Sequence, residues 1–382
     1  SESAVLRLLL GLRRGILPPA SFVHELAHRE TALLRTLPNV VDYTQPTGSK
    51  LVLVGDIHGD FDSLQHTLRI NGLPSNSLHY LFNGDFVNKN VKSIEVLLTL
   101  YALHQLRPDA VFLNRGNHED RPVTDIHGFK RECERKYDLL VYESFLQSFR
   151  WLPIATVVNS AMLVLHGGID ADMSLELLRA VRREEYTIAD PRTLDERKRR
   201  LGAAWAESAQ RELAMFDAMN SALWSDPADL QGLATQPNAV RGTAFLFGKL
   251  LVRKFLEDNG LTFLVRSHEM VMNGFEAFGD HLLTIFTSAH YAGVNANKGA
   301  YALLTATAES GKCEEESLAP TSPWCVDCAT ETLRWQRRFP HGLLEVFNYN
   351  PHDMSQVMTK HRQLRALLPL IVAHRTRLRA AY

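Results

Sequence analysis

Cysteine is scarce in this chain: four in 382 residues, at positions 133, 313, 325 and 328. That excludes a disulfide framework and favours a reducing compartment, the cytoplasm or the nucleus. Long apolar runs are missing too. None reaches the ~18 residues of a membrane span, so no transmembrane segment is expected. Charge of one sign is not in excess: 42 basic and 43 acidic residues leave a formal net charge of −1. No global field recruits nucleic acid or an anionic membrane, and no nucleic-acid partner is expected. Internal repeats and low-complexity tracts are absent, as is the D-x-[DN]-x-[DN]-G loop of a calcium-binding EF-hand.

At 45% hydrophobic and 22% charged, the composition is that of a globular chain. The length suits one large domain with additions, or two smaller ones. The opening "SESAVLRLLLGLRRG" has its apolar stretch broken by Arg7 and no small-residue cleavage pattern. It reads as a first amphipathic helix and not as a signal peptide. Apolar residues recur at helical spacing through 3–37, with "LPPA" as a break and Ser21 as a cap. "DYTQPTGSK" (42–50) reads as a linker, so residues 1–49 form a helical N-terminal extension.

From residue 51 the pattern changes. "LVLVGD", "HYLFNGD" and "AVFLNRGNHE" are short apolar runs ending in polar residues, separated by the helical "SLQHTLRING" and "SIEVLLTLYALHQ". This β-α-β-α-β rhythm predicts a layered α/β domain. A mostly helical stretch (126–150) follows, then the strands "SAMLVLHGG", "LTFLVRSHE" and "LLTIFTSAHY". Charged residues over 182–220 read as a solvated helical insertion of mixed sign. Residues 308–331 read as a long loop, "TLRWQRR" (332–338) as the last strand, and 339–382 as a basic helical tail.

Metal-ligand residue types appear wherever a strand ends: Asp56 and His58, Asp85, Asn117 and His118, His166, and His268. In open α/β sheets the carboxyl ends of strands are where sites form. Each of these residues alone is an ordinary turn or core residue. Together they supply enough carboxylate, imidazole and amide groups for two divalent ions. The mix suits Mn, Fe or Zn better than Mg. Two metals ~3.5–4 Å apart clamp an in-line phosphoryl displacement.

The series "GDIHGD…NGDF…RGNHED…HGG…WSDP…RG…FG…RSHE…SAHY" resembles the metal-dependent phosphoprotein phosphatases of the serine/threonine type. The likeness runs from about residue 50 to 338, in the family's order. "LFNGDF…SIEVLLTLYALH…VFLNRGNHED" and the helical lead-in are most similar to the EF-hand-linked, retinal-degeneration-C branch. The resemblance implies a metallophosphoesterase fold, a central β-sandwich flanked by helices. It implies hydrolysis of phosphoserine and phosphothreonine in protein substrates by in-line attack of a hydroxide held between two metals. Asp56, His58 and Asp85 would hold one metal. Asp85 would bridge to a second, held also by Asn117, His166 and His268. His118 would be the general acid, Arg241 a phosphate-binding Arg, and Tyr291 the active-site Tyr, with His290 where the family has Asn.

One motif departs from the family. Where Gly-Asp-x-Val-Asp-Arg-Gly is usual, this chain has "GDFVNKN", so Asn88, Lys89 and Asn90 replace Asp, Arg and Gly. Asn88 can accept a hydrogen bond from His118, but it brings no charge to favour the imidazolium and can present its NH2 instead. In serine proteases the same exchange beside a catalytic His costs ~10⁴ in rate, an upper bound here. Lys89 keeps a positive charge and loses the planar fork. The expectation is a retuned, slower phosphatase. A pseudophosphatase scaffold is one alternative. Another is a hydrolase of the diadenosine tetraphosphate type, although that group carries "GNHD" and "HAG" where this chain has "GNHE" and "HGG". Cys325-Val-Asp-Cys328 with Cys313 offers three thiols and no fourth zinc ligand, so a plain loop is expected. Arg375, Arg377 and Arg379 among apolar residues make the basic tail a candidate docking segment for a calmodulin-like regulatory protein.

Overall fold

The computed structural model of the protein describes residues 2–188, 206–306, 325–327, 332–339 and 342–350. Alternation along the strands decides its layers. In the strand Lys50–Val54, Leu51 and Leu53 enter one core, whereas Val52 and Val54 enter another on the opposite face. Successive side chains of a strand point to opposite faces, so a strand buried on both sides serves two cores at once. Met162–Leu165 does the same: Val164 faces the core shared with Leu51, and Leu163 and Leu165 face outward under helices.

The result is two sheets packed face to face with helices outside both. One sheet has seven strands, in the order Cys325–Asp327, Thr332–Phe339, Gly342–Tyr349, Gly299–Ala306, Lys50–Val54, Leu78–Phe82 and Val111–Leu113. The last three are parallel. The other has six, in the order Val40–Tyr43, Ala155–Val158, Met162–Leu165, Phe263–Arg266, Leu282–Ile285 and Phe275–Phe278. Met162–Leu165, Phe263–Arg266 and Leu282–Ile285 are its parallel trio. The carboxyl ends of the two trios meet. Asp56 forms a bridge with Phe286, and the Asn83 side chain donates to the Leu165 carbonyl at 2.7 Å.

The layered α/β architecture with a central sandwich is as expected, but several boundaries move. Residues 342–349, assigned to the helical tail, form a strand paired along its length with Gly299–Ala306. Leu344 and Val346 are buried between the sheets, which a solvated helix could not achieve. Within the expected loop 308–331, Cys325–Asp327 is a strand that pairs with Thr332–Arg334. Part of the expected linker belongs to the strand Val40–Tyr43, an edge of the second sheet. The tail proper, from residue 351, lies outside the described residues, as do Cys313 and Cys328. So does 189–205 of the charged segment. Helix Ala206–Trp224 buries Ala218, Met219, Ala222 and Leu223 against the second sheet, so this part of the charged segment is a core helix with a solvated outer face.

The N-terminal helices Glu2–Arg13 and Ala20–Leu34 share one core with the first sheet, through Leu12, Val23, Leu26 and Leu34. The second helix starts after Pro19, without the cap expected from Ser21. A buried polar contact ties it to helix Ser93–Leu106. Glu30 Oε1 meets His104 Nδ1 at 2.5 Å, and Glu30 Oε2 accepts from Gln105 Nε2 at 3.0 Å. Removing one side of a buried pair strands the other. Glu30→Ala should therefore lower stability by about 3–5 kcal/mol, read from urea melts. The Glu30→Leu, His104→Leu double replacement should recover most of the loss.

Candidate metal centre

The parallel strands deliver their polar ends into one cleft. Asp56 and His58 follow Lys50–Val54, Asp85 follows Leu78–Phe82, and Asn117 and His118 follow Val111–Leu113. From the second sheet come His166, after Met162–Leu165, and His268, after Phe263–Arg266. All seven are buried. Two loops can meet here only because they carry glycine. A Cβ on Gly116 would stand 2.2 Å from the Asp85 backbone nitrogen, and one on Gly84 would stand 2.4 Å from that of Gly116. His58, Asp85, Asn88, Lys89 and His268 all adopt positive φ, a strain that persists only where the surroundings enforce it.

Asp85 is the centre of the arrangement. Its Oδ2 lies 3.3 Å from His58 Nε2, and its Oδ1 lies 3.3 Å from His166 Nε2. Both imidazoles are oriented from behind: His58 Nδ1–H donates to the Val87 carbonyl at 3.0 Å and His166 Nδ1–H to the Asn83 carbonyl at 2.9 Å. That orients both rings with Nε2 towards the carboxylate, and in the neutral rings it leaves the Nε2 lone pair there, as in metal-ligating histidines. The Asn117 oxygen lies 2.9 Å from both His166 Nε2 and His268 Nδ1. An amide turned the other way would donate its NH2 to these nitrogens and to both Asp85 oxygens; a cation would satisfy the same converging lone pairs. Asp56 Oδ2 is buried with no hydrogen-bond donor, an expensive state for a carboxylate without a cation. The donor set fits divalent metal. His58, Asp85 and His118 form one compact group and Asp85, His166 and His268 another, joined by Asp56 and Asn117.

The field of the site agrees. Burial alone would raise the Asp85 carboxyl, but His166, His118 and His58 outweigh it and hold it well below the usual range. Burial works against charge on His166, yet the Asp85 and Asp56 carboxylates carry it up to about 9. Backbone donors fix both carboxylates: His118 N–H donates to Asp85 at 2.9 Å and His268 N–H to Asp56 at 3.0 Å.

His118 stands at the rim, with Nε2 3.9 Å from Asp85 Oδ2. Of the two orientations open to Asn88, the structure holds one. Asn88 Oδ1 accepts from the Phe129 N–H at 3.0 Å, so its NH2 faces His118 Nδ1 at 2.8 Å. The neutral His118 ring is thereby fixed with its proton on Nε2, on the metal side. Burial drives this imidazole well below its ordinary pKa. Asp85 opposes that, while His58, Lys89 and His127 reinforce it. The tautomer suits proton donation into the site, and the missing element is the charge. Lys89 reaches His127, Nζ to Nδ1 3.3 Å; burial lowers its pKa first, Asp85 opposing and Arg241 adding. The Asn90 N–H donates to the His58 carbonyl at 3.1 Å.

Arg241 comes to the same cleft on a carboxylate leash. Its Nε donates to Asp226 at 2.8 Å and its Nη2 to the His268 carbonyl at 3.2 Å. Asp226 also takes Arg266 at 2.8 Å. The Tyr291 ring lies 5.1 Å from that of His58, tilted at 46° to it. The site residues expected from sequence are thus brought together. Three supporting groups were not foreseen. Glu119 accepts from the backbone nitrogens of Asp85, Phe86 and Gly116 at 2.8–2.9 Å, and burial, then Asp85, pushes its carboxyl up to about 7. Arg266 lies two residues before His268 in "RSHE", which is a signal the sequence offers, whereas Asp226 in "WSDP" neighbours no ligand.

Comparison with known proteins points the same way. The calcineurin-like phosphoesterase family matches residues 49–272. The serine/threonine-protein phosphatase rdgC of Drosophila melanogaster is 35% identical over 324 residues, 82% of this chain and 44% of its own length. Human serine/threonine-protein phosphatase 5 is 34% identical over 270 residues, 70% of this chain and 49% of its own. The chain spans about half the length of the curated relatives it matches. Among solved structures, a yeast serine/threonine phosphatase with similarity to human phosphatase PP5 superposes with a TM-score of 0.70. It is 28% identical, covering 90% of this chain and 94% of that one. The family match takes in every strand-end loop from Asp56 to His268 and well over half of the sequence, and the chain belongs to the calcineurin-like phosphoesterase family.

Proposed function

We propose that this chain is a metal-dependent serine/threonine phosphoprotein phosphatase, slowed at its second motif. The observation that carries the reading is the convergence on Asp85: two imidazole groups, an amide and a second carboxylate bring their polar atoms to one buried centre. Asp56, His58 and Asp85 would hold one metal, and Asp85, Asn117, His166 and His268 a second, with Mn, Fe or Zn suited to these donors. Bound divalent ions supply Lewis acidity and lower the pKa of a water.

The chain's own side chains do the rest. Arg241, aimed by Asp226, offers its guanidinium to phosphoryl oxygens. Lys89 adds a point charge at the mouth, and Tyr291 packs beside His58. His118 presents an Nε2 proton towards the leaving group. The orientation of Asn88 favours one further reading, a pseudophosphatase that keeps the metal centre and has lost turnover. No helix among the described residues is long and apolar enough to cross a membrane. A phosphoprotein substrate in the cytoplasm or nucleus, and a regulatory protein at the basic tail, complete the proposal.

Hydrolysis of a phosphoserine peptide, an aryl phosphate and diadenosine tetraphosphate, each with added Mn, tests it against Asp85→Asn as the blank. We expect turnover above the blank on both phosphomonoesters and little on the dinucleotide. Activity no greater than the blank on all three would establish the pseudophosphatase.

A further inference from the structure

Tyr291 sits between two residues in the left-handed region, His290 at φ 51 and Ala292 at φ 56. Neither is glycine, so the backbone around Tyr291 needs something to hold it. The His290 ring is buried and supplies that hold at both nitrogens. Nδ1–H donates to the Asn295 carbonyl at 3.1 Å, across the loop. Nε2 meets the Asn350 side-chain amide at 2.7 Å. The His290 N–H donates to the Asn297 carbonyl at 3.0 Å, and the Asn297 side chain accepts from the Tyr291 N–H at 2.9 Å. Asn350 directly follows the strand Gly342–Tyr349, and the Tyr349 hydroxyl donates to the Thr287 carbonyl at 2.8 Å. The loop carrying Tyr291 is therefore stitched to the end of that strand.

The reach of the side chain matters. An Asn amide extends about as far as the Nδ1 of an imidazole and stops short of Nε2, whereas a Gln amide reaches the Nε2 position. The link to Asn350 is thus open to His at this position and closed to the Asn seen in the resembling family.

We propose that His290 is a positioning residue: through Asn350 it fixes the Tyr291 loop to the last strand and holds the Tyr291 ring against His58. This rests on the phosphatase reading, with Tyr291 at the substrate. The test compares His290→Ala, His290→Asn, His290→Gln and Asn350→Ala, each with and without Tyr291→Ala, on an aryl phosphate, with Asp85→Asn as the blank. Misplacing a contact group costs up to ~10²-fold; we expect His290→Ala and Asn350→Ala to lower kcat/KM by roughly 10-fold. In the Tyr291→Ala background neither should cost anything further, because residues acting as one unit are not additive. His290→Gln should retain more activity than His290→Asn. A loss of the same size in both backgrounds, or no loss in either, overturns the proposal.

Amide hydrogen exchange supplies a second readout that does not depend on turnover. His290→Ala and Asn350→Ala should speed exchange over residues 289–297 and leave Ala155–Val158 unchanged; unaltered protection at 289–297 would sink the inference. Wild-type turnover no greater than the blank would count against the phosphatase reading instead, with the exchange result still deciding the role of His290.

Discussion

Asp85→Asn is expected to reduce phosphatase activity to the level of buffer without enzyme and to abolish stabilisation by metal. Asp85 stands between the two histidine groups, 3.3 Å from Nε2 of His58 and from Nε2 of His166. The carboxamide matches the carboxylate in shape, so Glu119 and the His118 N–H keep the loop in place. What changes is charge and proton supply. An NH2 at this position donates to the His58 or His166 nitrogen and removes the need for a cation. Disturbing only the partners of metal ligands costs 10–100-fold, so losing the shared ligand should cost at least roughly 100-fold. A ligand that binds only the folded state raises Tm by mass action. Wild-type protein should therefore melt higher as Mn is added, and Asp85→Asn should not respond. A variant with normal turnover, or one whose Tm still climbs with Mn, would remove Asp85 from the centre.

Much of this site is legible from sequence because each ligand type follows an apolar run, and strand ends in an α/β sheet converge. Asp56, His58, Asp85, Asn117, His166 and His268 can be found that way. Their supports cannot. Glu119 acts on backbone nitrogens of a loop 33 and 34 positions earlier, and Arg241 depends on Asp226, itself held by Arg266. Such pairs form when the two sheets close, and no local spacing announces them. The same holds for the strands. Lys50–Val54 and Leu78–Phe82 read clearly as buried on both faces. Val40–Tyr43 is four residues beside a turn-rich stretch. Gly342–Tyr349 alternates strictly, buried against half-exposed, but precedes a segment of helical periodicity that masks its end.

Asn88 is the point where the structure adds most, and it yields the second large effect. The Phe129 N–H lies 41 positions from Asn88, so the choice of amide face is invisible in "GDFVNKN". With the NH2 on His118 Nδ1, the ring is a neutral Nε2–H donor. A neutral imidazole is a poor acid, since giving up that proton leaves an imidazolate. Alkoxide leaving groups of phosphoserine and phosphothreonine need a proton in the transition state, whereas aryl leaving groups depart with little help. General-acid assistance contributes 10²–10⁴-fold. Asn88→Asp would accept from both the Phe129 N–H and a His118 Nδ1–H, and its charge would favour the imidazolium. We therefore expect Asn88→Asp to raise kcat on a phosphoserine peptide by roughly 10- to 100-fold, while aryl phosphate turnover changes only a few-fold. The ratio of the two gains is the decisive measurement, because a general improvement in folding or metal loading would move both substrates together. Equal gains, or no gain with the peptide, would show that the amide of Asn88 is not what limits the acid.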